Sequence, residues 1–170
     1  DGTLHIVDMY REVIETPDSM PAEILAQVDL HSGHDRGRIY RLAPQGFKAP
    51  PAPKLGQAST AELVAALEHP SGWWRDTAGR LLCERHDSSA IEPLRSLLHS
   101  TASPEAKSHI LWTLSGLGGL SEDDVLLALR EDSPRLRELG VRLAEKELQG
   151  KVLDAVLTLV HDADARVRFQ

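Results

Sequence analysis

Three arginines recur at a constant offset from an apolar register. Leu67, Leu98, Leu129 and Val160 stand 31 residues apart, and Arg75, Arg137 and Arg168 each follow a member of that series by eight residues. A guanidinium is a planar fork of five donors that matches carboxylates, carbonyls and phosphates. A row of them therefore has two uses. It either bonds the carbonyls of inter-helix turns or an acid such as Asp132 or Asp162, as a ladder inside the protein, or it binds external anions from a solvent-open position. Trp73 and Trp74 precede the first arginine. In the register Trp74 takes the place of Leu136 and Val167, which is a core place. Trp73 takes the place of Arg135 and Arg166, which is a surface place. An indole at a surface position calls for a cover, either the linker and N-terminal segment of the chain or a binding partner. The interaction candidates are accordingly Trp73, Arg75, Arg137 and Arg168. Trp112, beside the inward-facing Leu111, is expected to be partly buried core.

Other chemistry-bearing residues are sparser. His5, His31 and His34 with Asp8, Asp29 and Asp35 make the one metal constellation in the chain, but none has ligand spacing on a regular element, and loop polarity accounts for them equally well. Glu12, Glu15 and Asp18 read as a carboxylate cluster or as solvated charges. The single cysteine, Cys83, excludes an internal disulfide and a four-cysteine zinc site, leaving a small buried hydrophobe or a reactive thiol. No Gly-x-Ser-x-Gly elbow or Gly-x-x-x-x-Gly-Lys loop occurs. Gly116-Leu117-Gly118-Gly119-Leu120 reads as the end of a helix. No catalytic, cofactor-binding or metal-binding residue is assigned, and no cofactor is expected within these residues. The formal charge of −7, with 26 acids against 19 Lys and Arg, argues against a general nucleic-acid binder. No apolar run reaches the roughly 20 residues that span a bilayer, and no signal peptide is evident. The expected partners are a protein or neighbouring domains of a longer chain, with end-to-end stacking into a homodimer as a further expectation.

These residues need elements to hold them. From Ser59 onward the apolar pattern is helical. Ser59 or Thr60 caps a helix bearing Leu63, Val64 and Leu67, and the turn His69–Gly72 leads to a second helix with Trp74, Ala78, Leu81 and Leu82 inward. Further pairs follow: 90–100 with Leu94 and Leu98 and 104–117 with Ile110 and Leu114; then Val125, Leu126 and Leu129 with Leu136, Leu139 and Leu143. A fourth helix, from Lys151, carries Val152, Val156, Leu157 and Val160, and its partner is unfinished at Gln170. The second repeat holds one extra residue and puts Ala106 or Lys107 where arginine stands elsewhere. Hairpins with two apolar sides must stack to bury them. Scarce aromatics, 4% of residues, suit helix packing better than a β-sandwich.

Residues 1–43 differ. Thr3–Tyr10 and Gly37–Leu42 carry strand signals, and between them 18–25 reads as a short helix with Ser19 as N-cap and Pro21 in its first turn. Two strands so connected require neighbouring strands. Residues 44–58, with four prolines, read as a semi-rigid linker. The expected organisation is thus 1–43, a linker 44–58 and about three and a half repeats over 59–170. The chain begins at Asp1 without methionine and stops inside a helix, so it reads as a piece of something larger.

Two resemblances follow from these residues. The turns Asp132-Ser133-Pro134-Arg135-Leu136-Arg137 and Asp162–Arg168 resemble the HEAT-repeat signature, which implies an all-α solenoid. Asp1–Asp8 together with Asp35–Leu42 resembles the closing blade of the β-propeller in sugar and sorbosone dehydrogenase-like proteins. The insertion, Asp8–Glu15 and Ser32–Gly37, is similar to the membrane-bound dehydrogenase-like proteins of planctomycetes, in which a propeller precedes HEAT repeats and often a c-type cytochrome segment. The resemblance implies a small β remnant of a propeller blade before the solenoid and a periplasmic or membrane-associated location. It also implies a non-catalytic scaffold or protein-interaction module or, alternatively, the structural part of an oxidoreductase that passes electrons to a haem. No Cys-x-x-Cys-His is present to hold that haem here.

Overall fold

The computed structural model describes residues 3–146 and 148–170. It divides into two compact units, Asp1–Ala52 and Pro53–Gln170.

In the first unit, β1 (Leu4–Asp8) pairs antiparallel with β2 (Arg38–Leu42), Leu4 opposite Leu42, Ile6 opposite Tyr40 and Asp8 opposite Arg38. Strand alternation sends Leu4 and Ile6 to one face and Val7 to the other. Both faces remain exposed: Leu4 is 59%, Val7 74%, Ile39 67% and Leu42 65% accessible. Between the strands lie a 3-10 turn, Pro17–Ser19, and a short helix, α1 (Ala22–Leu25). Pro21 holds the N-cap position of α1, so Ser19 is not the cap expected for it; its hydroxyl donates back to the Thr16 carbonyl instead. Pro17 already starts a separate turn and closes it before Pro21 can begin the helix. The long connection is tied to itself. Arg11 donates to the Leu30 carbonyl, and the Arg38 guanidinium lies 4.5 Å over the Tyr10 ring. Gly33, at φ +72°, meets the Tyr10 carbonyl so closely that a Cβ would overlap it.

The second unit is a stack of helical hairpins. Its helices are α2 (Thr60–Ala66), α3 (Gly72–Arg85), α4 (Ile91–Ser100), α5 (Pro104–Gly116), α6 (Glu122–Leu129), α7 (Pro134–Ala144), α8 (Gly150–Thr158) and α9 (Ala165–Phe169). The second helices α3, α5, α7 and α9 pack in succession, and the first helices α2 and α4, and α6 and α8, pack behind them. A 3-10 turn, Leu55–Gln57, precedes α2 and buries Leu55 against the core, so the end of the proline-rich stretch is packed onto the repeats.

Local chemistry sets the helix ends. Ser59 and Glu62 form a capping box at α2, and Ser121 and Asp124 repeat it at α6. At the end of α5 the Gly118 N–H donates to the Ser115 carbonyl and the Gly119 N–H to the Leu114 carbonyl, with Gly118 at φ +69°. This is the Schellman arrangement, and it accounts for the glycine cluster as a helix terminator.

The core follows the 31-residue register for three repeats. Leu67, Leu98 and Leu129 are 0%, 0% and 3% exposed. The fourth member departs. Val160 is 57% and Leu157 56% exposed, contrary to the inward place the register gives them. In the first three repeats the following hairpin covers this side. Beside α8 and the 3-10 turn Leu159–His161 that follows it, no further hairpin does so among the described residues.

Candidate interaction face

Each repeat arginine bonds its own inter-helix turn in one geometry. Arg75 Nη1 donates to the carbonyls of His69 (2.7 Å) and Pro70 (2.9 Å), and Arg137 Nη1 to those of Glu131 (2.9 Å) and Asp132 (2.8 Å). Arg168 Nη1 donates to Asp162 (2.5 Å) and Ala163 (3.0 Å). Each arginine thus reaches the carbonyls six and five residues before it, which lie in the inter-helix turn beyond the end of the preceding helix. Arg137 does more. Its Nε and Nη2 donate to Asp162 Oδ2 and Oδ1 at 2.7 and 2.9 Å, a bidentate pair to the turn of the next repeat. The Arg137 hydrogen bonds hold the Asp162 carboxyl below its usual range and raise the guanidinium in turn.

The second repeat keeps this link with different residues, Lys107 Nζ lying 2.6 Å from Glu131 Oε1. At the first junction the facing turn is Ser100-Thr101-Ala102-Ser103, which offers no acid. Arg75 Nε is there buried without a hydrogen-bond partner among the described residues. A further cation inside the stack, Arg95, reaches the Gly119 carbonyl at 2.8 Å and the buried Asp124 carboxylate at 3.4 Å. Arg75 and Arg168 therefore brace their own turns, and Arg137 also links its turn to the next.

The tryptophans divide differently. Trp74 is half-buried against the core and stacks on His69, ring centroids 4.4 Å apart. Trp73 meets Trp74 edge-on and is 55% exposed, as its register place predicts. Trp112 is 47% exposed, which corrects its assignment to partly buried core. Ile110, Leu111, Thr113 and Leu114 already fill the inward arc of α5, so the remaining position must point outward.

Both exposed indoles sit on second helices. Trp73, Asp76 and Arg80 share one face of α3 at spacings of three and seven, and Ser108 and Trp112 share one face of α5 at a spacing of four. Between α3 and α5 runs an open groove of about 540 Å³, lined by Asp76, Arg80, Ser108, His109, Trp112 and Thr113 among others. Burial pushes His109 down from its ordinary value, against the opposing pull of Asp76, whose Oδ1 lies 3.6 Å from Nδ1. Cys83 also borders this groove. Its sulfur donates to the Thr113 carbonyl at 3.8 Å, and burial pushes the thiol up, away from the thiolate that nucleophilic chemistry needs. The sequence reading missed Asp76, Ser108 and His109. The three-and-four spacing that groups them was present, but the adjacency of Trp112 to Leu111 concealed which arc of α5 is open.

His31 and His34 of the first unit serve turns, while His5 lies on β1. Asp29 Oδ1 accepts from the His31 N–H at 2.8 Å, and His34 Nδ1 bonds the His31 carbonyl at 2.8 Å. Among the described residues no three His, Cys, Asp or Glu side chains converge as a metal site.

Hairpins that stack through a repeating leucine and brace their turns with a repeating arginine define an α-solenoid of the helical-repeat class. Residues 60–145, just over half the chain, match the HEAT repeats, and the chain belongs to that family. Residues 1–46 match a domain of unknown function (DUF7133). No curated protein and no solved structure matches the chain.

Proposed function

We propose that this chain is a non-catalytic HEAT-repeat scaffold that binds a protein partner on the exposed face of its second helices. One observation carries the reading: Trp73 and Trp112, two of only three tryptophans, are half-exposed on the outward faces of adjacent second helices. Indoles left open at a surface are the side chains that most often dominate binding energy. Their exposure favours an external partner over a packing role.

The test is a pair of photo-crosslinking positions. A photoreactive residue replacing Trp73 or Trp112 is expected to capture a partner from an extract of the native host, whereas one at Ser96, on the exposed side of α4, is not. The captured protein, once purified, should bind Trp73→Ala and Trp112→Ala at least about tenfold more weakly than the unaltered chain. Capture from Ser96 alone, or unchanged affinity of both variants, refutes the reading.

A second reading rests on the first unit. Its two-stranded sheet leaves apolar side chains open on both faces, which further sheets packed face to face would cover. This supports placing residues 1–43 as part of a larger β-structure, such as a propeller blade in a dehydrogenase-like parent, with the repeats spacing it from a haem-bearing segment. Purified intact parent protein that shows neither a haem spectrum nor turnover of sugars or alcohols would remove that reading.

A further inference from the structure

Several acceptors line the groove between α3 and α5. The Ser108 hydroxyl donates to the Pro104 carbonyl at 2.9 Å and the Thr113 hydroxyl to the His109 carbonyl at 2.7 Å. With their hydrogens committed to the helix, both oxygens keep acceptor capacity alone. Asp76 adds a carboxylate whose side chain is 75% exposed, and Trp112 adds the negative face of an indole. Two cations stand nearby. Arg80 Nη1 lies 2.6 Å from Glu84 Oε1, one turn along α3, and Arg75 is turned onto the His69 and Pro70 carbonyls. Burial disfavours the charged form of His109, which weakens its pairing with Asp76 across 3.6 Å. Beside Asp76 and Trp112 the groove therefore offers acceptors, an exposed carboxylate and a π face, with the Arg80 guanidinium and the His109 ring as donors elsewhere on the same lining.

We propose that this groove docks a lysine- or arginine-bearing segment of a partner protein, its cationic head on Asp76 and its apolar stem along the Trp112 indole. The assignment rests on the partner-binding face proposed above and gives it a chemistry. An ammonium or guanidinium supplies donors without acceptors, which suits the Asp76 carboxylate and the Ser108 hydroxyl oxygen. It also gains from an aromatic face, and its methylene stem covers apolar surface while the head stays charged. An acidic segment would meet Asp76 as a like charge. A purely apolar one would strip water from Asp76 and return no hydrogen bond.

Selection of a displayed random peptide library on the full chain tests this without knowledge of the natural partner. Peptides enriched on the unaltered chain are expected to converge on Lys or Arg at one position. Synthetic copies should bind Asp76→Asn and Trp112→Ala about fivefold more weakly or worse. The same peptides should bind Ser96→Ala unchanged. Both altered side chains are exposed, and an unchanged far-UV circular dichroism spectrum and melting temperature would establish that the variants fold. Enriched peptides that respond to Trp112→Ala yet lack a cation, or that ignore Asp76→Asn, overturn the cationic assignment and leave the binding face standing. Enriched peptides indifferent to both Trp73→Ala and Trp112→Ala, or no enrichment at all, overturn both.

Discussion

Arg137 and Asp162 show how a single side chain joins two repeats. The guanidinium spends one nitrogen on its own turn and two on the next repeat's acid, and Asp162 Oδ1 also accepts from the Asp164 N–H at 2.8 Å. Hydrogen bonds to the ionised carboxylate favour it, so the folded-state pKa of Asp162 lies below its unfolded value. A depressed carboxyl adds stability at pH above the unfolded value and loses it as pH falls through the folded one. Arg137 keeps its charge throughout this range. Asp162→Asn is therefore expected to lower the melting temperature at pH 7, and the gap from the unaltered chain should hold down to about pH 5 and close as the pH falls further. Thermal unfolding followed from pH 7 to the acid limit of folding reads this directly. A gap that does not narrow in acid would mean that the pair contributes shape without charge. The arginine positions were legible in the sequence because they recur. Their partner was one of two named possibilities, and only the geometry showed Arg137 using both at once.

At the scale of elements, helix boundaries were the most legible feature because their causes are local. Ser59 with Glu62, Pro104, and Gly118 with Gly119 act within one turn of chain, so short-range pattern suffices. Ser19 was misread because a second proline-led turn competed with the helix it was expected to cap. How closely two helices approach is a different matter. Gly140 of α7 lies against α6 so tightly that an added Cβ would come within 2.8 Å of the Leu129 backbone nitrogen. Backbone cannot swing aside as a side-chain tip can, so Gly140→Ala should push the hairpin apart. The expected cost is about 1–3 kcal/mol, by the usual penalty for overpacking, despite alanine's better helix propensity. Chemical denaturation with an unchanged m-value would register it; equal or greater stability would show that α7 can shift freely.

Across the whole second unit, each hairpin contacts its neighbours in the stack, and stability is shared between adjacent repeats. Leu98 is fully buried at the middle of the register. Leu98→Ala is expected to cost about 2–5 kcal/mol, the range for a truncated core leucine. In a nearest-neighbour stack the loosened hydrogen exchange should be greatest in α4, α5 and their direct neighbours, fading toward α8 and α9. Uniform loosening from α2 to α9 would show instead that the unit unfolds as a single cooperative block.

The sequence by itself determined the helical hairpins, their 31-residue register, the core leucines of the first three repeats and the recurring positions of the arginines. Those features repeat or act within a few residues, so they leave a pattern in one dimension. Tertiary structure decided that Trp112 faces outward, that Val160 and Leu157 stay open, and that Asp162 takes two donors from Arg137. It also assembled Asp76, Ser108 and Trp112 on one groove from helices some 30 residues apart. Each of these depends on which neighbouring element fills the space beside a side chain, and that is settled only when the hairpins stack.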